Sequence, residues 1–167
     1  MSDIVYLSLG SNLGNRESYL NRATQRLSQM MGLEFIAASS LYHSRPLDCP
    51  EDCPDFLNKV IKLECSLKPV QLLDNTERLE IEFGRTEKNS RANRVIDIDL
   101  ILFGNRIFRN ERLEIPHPRM HERAFVLIPL CEIEPELVDP RTNEKFCDML
   151  SLLGDQGVKI VKETTVE

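Results

Sequence analysis

The apolar residues change period along the first 104 positions in an order that few folds satisfy. IVYLSL (4–9) is a short apolar run and predicts a strand. GSNLGN then predicts a turn, with Asn15 as helix N-cap and Glu17 in the first turn. Tyr19, Ala23, Leu27 and Met30 recur at helical spacing until Gly32. Residues 34–43, EFIAASSLYH, predict a second strand, and FLNKVIKLEC (56–65) alternates as a half-buried third. Pro69 opens a second helix to about Phe83, with Leu72, Leu73, Leu79 and Phe83 inward. VIDIDLILF (95–103) is a fourth strand, and Gly104-Asn105 its turn. The order β-α-β-β-α-β predicts an α+β, ferredoxin-like domain: an antiparallel sheet with both helices on one face. Residues from about 105 add a small hairpin, a helix near 123–132 and a C-terminal helix around 145–153. The tail after about 155 is expected to form a last short strand or to fray.

The 167 residues form one domain, 1–167. A net charge of −6 argues against nucleic-acid or anionic-membrane partners. The N-terminus has no basic region of a secretory leader, so the expected setting is the cytoplasm, as a monomer. Five cysteines, an odd number, predict free thiols. Cys49 and Cys53 frame CPEDC, whose spacing could hold zinc, but no second Cys/His pair follows at finger spacing. His117 and His121 are four apart, but Pro116 and Pro118 make a regular helix there unfavourable.

Two aspartates sit in the fourth strand. Asp97 and Asp99 share a face, about 7 Å apart, while Ile96, Ile98, Leu100 and Leu102 form the opposite, core face. Such a pair can bridge hard cations; it can equally be a strand end paired with arginines. Context favours a site. Arg85, Lys88, Arg91 and Arg94 face one acid, Glu87, across 85–94: four cations less one anion, a local +3. Arg112, His117, Arg119 and Arg123 follow. Carboxylates beside many guanidiniums describe a place for a polyanion such as a nucleoside triphosphate. GSNLGN lacks the G-K-[ST] ending and the G-x-G-x-x-G spacing, so any nucleotide is bound without a P-loop. An RNA-binding ferredoxin-like domain would need exposed aromatics and a basic sheet, and this chain has no Trp. A regulatory ligand-binding domain would not need the aspartate pair beside an arginine loop. A two-metal nucleotidyltransferase is the nearest enzymatic alternative.

YLSLGSNLG, PDFLN (54–58), ERLEIEFGR (77–85), RVIDIDLILFG (94–104) and ERLEIPHPRMHERAFVLIPLCEI (111–133) occur in order. Together they resemble the 6-hydroxymethyl-7,8-dihydropterin pyrophosphokinases of the folate pathway, up to about residue 140. The resemblance implies that ATP gives its β,γ-pyrophosphoryl group to the pterin hydroxymethyl and leaves as AMP, with two Mg²⁺ ions. It implies that Asp97 and Asp99 are the metal ligands, and that Arg94, Arg112 and His117 hold phosphates. Arg85 would assist transfer or close the site; Glu80 and Ile98 would line the nucleotide. Phe56 and Phe125 would stack on the pterin, and Asn58 would bond its amide-like edge with the Ser44 and Leu47 backbones. Arg123 would lie near the transferred group. The chain departs from the family at SRAN (90–93), where a Trp-Gly-Pro stretch is usual, at Glu87 for a second arginine, and at Pro118 for an aromatic.

Overall fold

The computed structural model describes residues 1–46, 53–84 and 95–161. Its elements are β1 (Asp3–Ser11), α1 (Arg16–Ser28), β2 (Leu33–Ala38), β3 (Tyr42–Ser44), β4 (Phe56–Cys65), α2 (Pro69–Glu82) and β5 (Asp97–Phe103). A two-stranded hairpin follows, β6 (Phe108–Arg109) and β7 (Glu114–Ile115), then α3 (Ala124–Ile133), α4 (Phe146–Leu152) and β8 (Lys159–Ile160). The main sheet runs β5-β1-β4-β3-β8, with β2 also on β4, and every described pairing in it is antiparallel. The ferredoxin-like order expected from the periodicities is present.

Local chemistry explains the element ends. The Asn15 side chain accepts the Ser18 N–H at 3.1 Å and starts α1. Pro69 opens α2, where its missing N–H costs nothing. The strand expected over 34–43 is two strands, because the Ser39 hydroxyl intervenes. Ser39 Oγ accepts the Val60 N–H at 2.9 Å while the Ser39 N–H donates to the Val60 carbonyl. A side chain thus takes one ladder position, and β3 restarts beyond it.

The two helices of the β-α-β-β-α-β unit share one face, as expected, and the added C-terminal helices take the other. Leu20, Ala23 and Leu27 of α1 and Leu72 and Leu79 of α2 join Leu7, Leu9, Ile61, Leu63, Ile98 and Leu100 in the larger core. Val126, Leu127 and Leu130 of α3 and Phe146 of α4 cover the other face, on Tyr6, Val60, Ile101 and Leu102. Leu102 therefore departs from the expected face. Tyr6 pairs with Leu102 but Leu7 with Leu100, so Ile101 is an extra residue that reverses the alternation. Tyr19 and Phe83, both expected inward, meet edge-to-face at 6.1 Å under Arg22 at the rim.

Of the two alternatives for the tail, the last short strand forms: β8 pairs with β3 through Ile160, and the Val161 N–H donates to the Leu41 carbonyl. The thiols also differ from expectation. Cys53 is disulfide-bonded, whereas Cys65, Cys131 and Cys147 are free. Cys49 lies outside the described residues. Burial and a hydrogen bond with Cys147 push the Cys131 thiol above its ordinary range, which leaves it a poor nucleophile.

Candidate active site

Three adjacent strands place one residue each in a row. Gly10 of β1 is paired with Asn58 of β4 on one side and with Asp97 of β5 on the other. Directly paired residues share a face, so Asn58 and Asp97 project together, about 10 Å apart across the bare glycine. Ser8 is paired with Asp99 in the next row on that face. The Tyr42 hydroxyl donates to Glu132 of α3, and Tyr42 pairs with Asn58, so the row lies on the α3 side of the sheet. Both aspartates are half-buried.

The glycine is required by space. A Cβ at Gly10 would lie 3.0 Å from Asn58 Oδ1 and 3.5 Å from a Phe56 ring carbon. Sequence reasoning missed it by placing GSN in a turn, whereas β1 continues through Ser11. A glycine inside a strand signals a close approach and could have been heard as such.

Five residues that the resemblance assigns to the pterin are described. Asn58 is buried, and its amide nitrogen donates to the buried Ser44 hydroxyl, which ties β4 to β3. Phe56 is half-buried beside them at the start of β4. Phe125 is half-buried in the first turn of α3, with the Arg123 guanidinium 5.7 Å from its ring centre. Leu47 lies outside the described residues, as do Arg85 and Arg94 with the basic segment 85–94.

The residues assigned to the nucleotide divide into two groups. Glu80 is buried on α2 and accepts the Ile98 N–H at 3.2 Å. This satisfies the open edge of β5, the outermost strand. Arg112 is exposed and held by Asp74 at 2.8 Å and Glu77 at 3.1 Å, both on α2. A phosphate at Arg112 would share that cation with two carboxylates. His117 belongs to the aspartate group. Its electrostatic neighbours are Arg123, Asp97, Arg119 and Arg141.

His117 is neutral at physiological pH. Burial, then Arg123, hold its pKa down at about 4, against a smaller upward pull from Asp97. Its Nδ1 accepts the Arg119 N–H at 3.2 Å, so Nε2 carries the proton and is the free donor. The folded-state pKa lies below the unfolded value near 6.5. Above pH 6.5 neither state is protonated and the contribution is complete. As pH falls from 6.5 towards 4 the unfolded chain takes up a proton that the folded chain refuses, and stability is lost. Urea unfolding of the wild type is expected to lose on the order of 3 kcal/mol from this group over that window. His117→Asn should flatten that part of the profile; an unchanged slope would contradict the assignment.

Among the described residues, no three His, Cys, Asp or Glu side chains gather as ligands for one ion. The His117/His121 pair expected to be irregular is so: His117 precedes a short 3-10 turn, Met120–Glu122, that contains His121. The aspartate pair offers hard carboxylate oxygens on one face. That donor set fits magnesium, which takes one or two carboxylates and completes its shell with phosphate and water. Among the described residues, no helix is long and apolar enough to cross a membrane.

Comparison with known proteins identifies the family. Residues 6–135 match the family model described as 7,8-dihydro-6-hydroxymethylpterin-pyrophosphokinase (HPPK). The chain is 44% identical over 138 residues to the 2-amino-4-hydroxy-6-hydroxymethyldihydropteridine pyrophosphokinase of Haemophilus influenzae, covering 83% of this chain and 86% of that one. It is 40% identical over 163 residues to the protein of the same name from Bacillus subtilis, covering 98% and 93%. Its fold is similar to a crystal structure of Plasmodium falciparum HPPK-DHPS wild type with pteroate, at a TM-score of 0.70 and 14% identity. That match takes in 90% of this chain but 42% of the larger one, and at such identity it shows the fold alone.

Proposed function

Because the chain belongs to the 7,8-dihydro-6-hydroxymethylpterin-pyrophosphokinase family, we propose that it transfers pyrophosphate from ATP to 6-hydroxymethyl-7,8-dihydropterin, with two Mg²⁺ held by Asp97 and Asp99. Family membership makes it a pyrophosphokinase of folate synthesis. The observation that supports the finer reading is the row Asn58–Gly10–Asp97, with Asp99 one step along β5. A flat heterocycle bonded at Asn58 and lying across Gly10 brings its far substituent to the carboxylates.

In the reaction, the hydroxymethyl oxygen bonds to the β-phosphorus of ATP. The bond from that phosphorus to the α,β-bridging oxygen breaks, and AMP leaves with the oxygen. The hydroxyl proton passes to solvent. Magnesium bound at Asp97 and Asp99 would neutralise phosphate charge and lower the pKa of the attacking hydroxyl. The remaining work is positioning. Asn58, oriented by Ser44, bonds the pyrimidine edge, and Phe56 and Phe125 stack on the ring faces. His117 offers a neutral Nε2–H to a phosphate oxygen and so adds no fixed positive charge beside the metals. Arg123 supplies a guanidinium next to Phe125, where pterin and transferred group meet. Arg112 binds phosphate from the α2 side. Arg85 and Arg94 hold phosphates or assist transfer, Glu80 and Ile98 line the nucleotide, and the Leu47 backbone adds to the pterin edge. The protein works as a monomer in the cytoplasm on these two small molecules, with neither nucleic acid nor membrane.

The nucleotide product tests the reading. Incubation with Mg-ATP and 6-hydroxymethyl-7,8-dihydropterin is expected to release AMP only when the pterin is present, with the pterin diphosphate in equal amount. ADP as product would make the chain an ordinary kinase and overturn pyrophosphoryl transfer.

A further inference from the structure

The segment after α4 does more than end the chain. Asp155 Oδ1 accepts the Gly157 N–H at 2.8 Å, a side-chain turn that bends the chain back, with Gly157 at φ +75°. Gln156, at the bend, makes two bonds to another part of the molecule. Its Nε2 donates to the Glu122 carbonyl at 2.9 Å, and its Oε1 accepts the Ala124 N–H at 2.9 Å. One amide thus grips the backbone on both sides of Arg123. The chain then enters β8, where Lys159 pairs with His43 and Ile160 with Tyr42 of β3.

The two ends of this strap meet two halves of one subsite. Arg123 is the N-cap residue of α3, and its side chain makes no capping bond. The N–H of Ala124, an orphan donor of the first turn, is satisfied by Gln156 instead. Fixing that turn sets the direction of Arg123 and of Phe125, the next residue but one. At the other end, β8 pairs along β3 up to His43, and the next residue is Ser44, whose hydroxyl orients Asn58. Between these anchors lies a cleft of about 750 Å³, with Ser44, Arg45 and Asp55 on one side and Asp155, Gln156 and Lys159 on the other.

We propose that Gln156 is a positioning residue for the pterin subsite: it fixes the Glu122–Ala124 turn so that Arg123 and Phe125 face the ring that Ser44 and Asn58 hold by its edge. The proposal rests on the pyrophosphokinase reading. Gln156 is itself exposed and touches no reacting atom. Its loss therefore acts first on the pterin, because Phe125 and Arg123 flank the ring, while Glu80, Ile98 and Arg112, assigned to the nucleotide, are held by α2 and β5.

The test uses the full chain and separates the two substrates. Gln156→Met keeps the length of the side chain and removes both hydrogen bonds. It is expected to raise the pterin KM about tenfold, with the ATP KM within about twofold of wild type. Gln156→Glu keeps the acceptor for the Ala124 N–H and loses the donor to Glu122; a rise of about threefold is expected. Asp155→Ala loosens the bend without touching the grip, and a smaller rise in the same parameter is expected even if Gln156→Met folds poorly. An unchanged pterin KM in Gln156→Met and Asp155→Ala, or equal rises for pterin and ATP, would overturn the proposal. Failure of the wild type to make AMP would instead overturn the pyrophosphokinase reading, so the two failures are separately visible.

Discussion

Asp97→Ala and Asp99→Ala are each expected to lower pyrophosphoryl transfer about a thousandfold or more and to leave the protein folded. The cause is electrostatic. Two metals holding a triphosphate supply several kcal/mol of transition-state stabilisation, and about 4 kcal/mol is a factor of a thousand. A single carboxylate cannot place both ions. The fold should survive because both side chains are half-buried on the site face, while the core on the other face is built by Ile96, Ile98 and Leu100. Truncation there opens no apolar cavity, so the melting temperature is expected to stay within about 5 °C. The two variants should also lose the gain in ATP affinity that Mg²⁺ gives the wild type. Turnover within tenfold of wild type in both would remove the aspartates from the chemistry.

Gly10→Val is the second large effect, and it falls on the other substrate. Any side chain at Gly10 enters the space between Asn58 Oδ1, at 3.0 Å, and the Phe56 ring, at 3.5 Å. Asn58 cannot retreat easily, since it is buried and bonded to Ser44. Valine favours strand geometry, so β1 should persist and the strain should appear in the site. The pterin dissociation constant is expected to rise about a hundredfold, nearly 3 kcal/mol, while ATP affinity stays within about twofold. Gly10→Ala should fall between, because an alanine methyl needs only a few tenths of an ångström from its neighbours. Titration of each ligand separately decides the matter: equal pterin affinity in Gly10→Val and wild type would mean that the ring does not lie across this glycine.

The difference between what was legible in the sequence and what was not follows from range. Asp97 and Asp99 share a face because a strand has period two, and that needs only adjacent residues. Asn15 and Pro69 mark their helix starts for equally local reasons. The second apolar face of the sheet was not legible. α3 is apolar enough to bury itself anywhere, and only the second apolar surface of Tyr6, Val60 and Leu102 tells it where. That surface depends on Ile101, an inserted residue that no periodicity displays. Gly10 looked like a turn because GSN has turn chemistry, and the long pairing with β4 overrode it. Gln156 carried no signal at all, since its partners are backbone atoms more than thirty residues away. The resemblance supplied roles for single residues; the strand register supplies the reason that Asn58 and Asp97 can act on one molecule.

The most direct test of that arrangement is a crystal of the protein grown with Mn²⁺ and a non-hydrolysable ATP analogue, read by anomalous scattering. Two manganese peaks are expected, each bonded to oxygens of Asp97 or Asp99 and of the bound phosphates. A bound analogue whose metals avoid both aspartates would contradict the account.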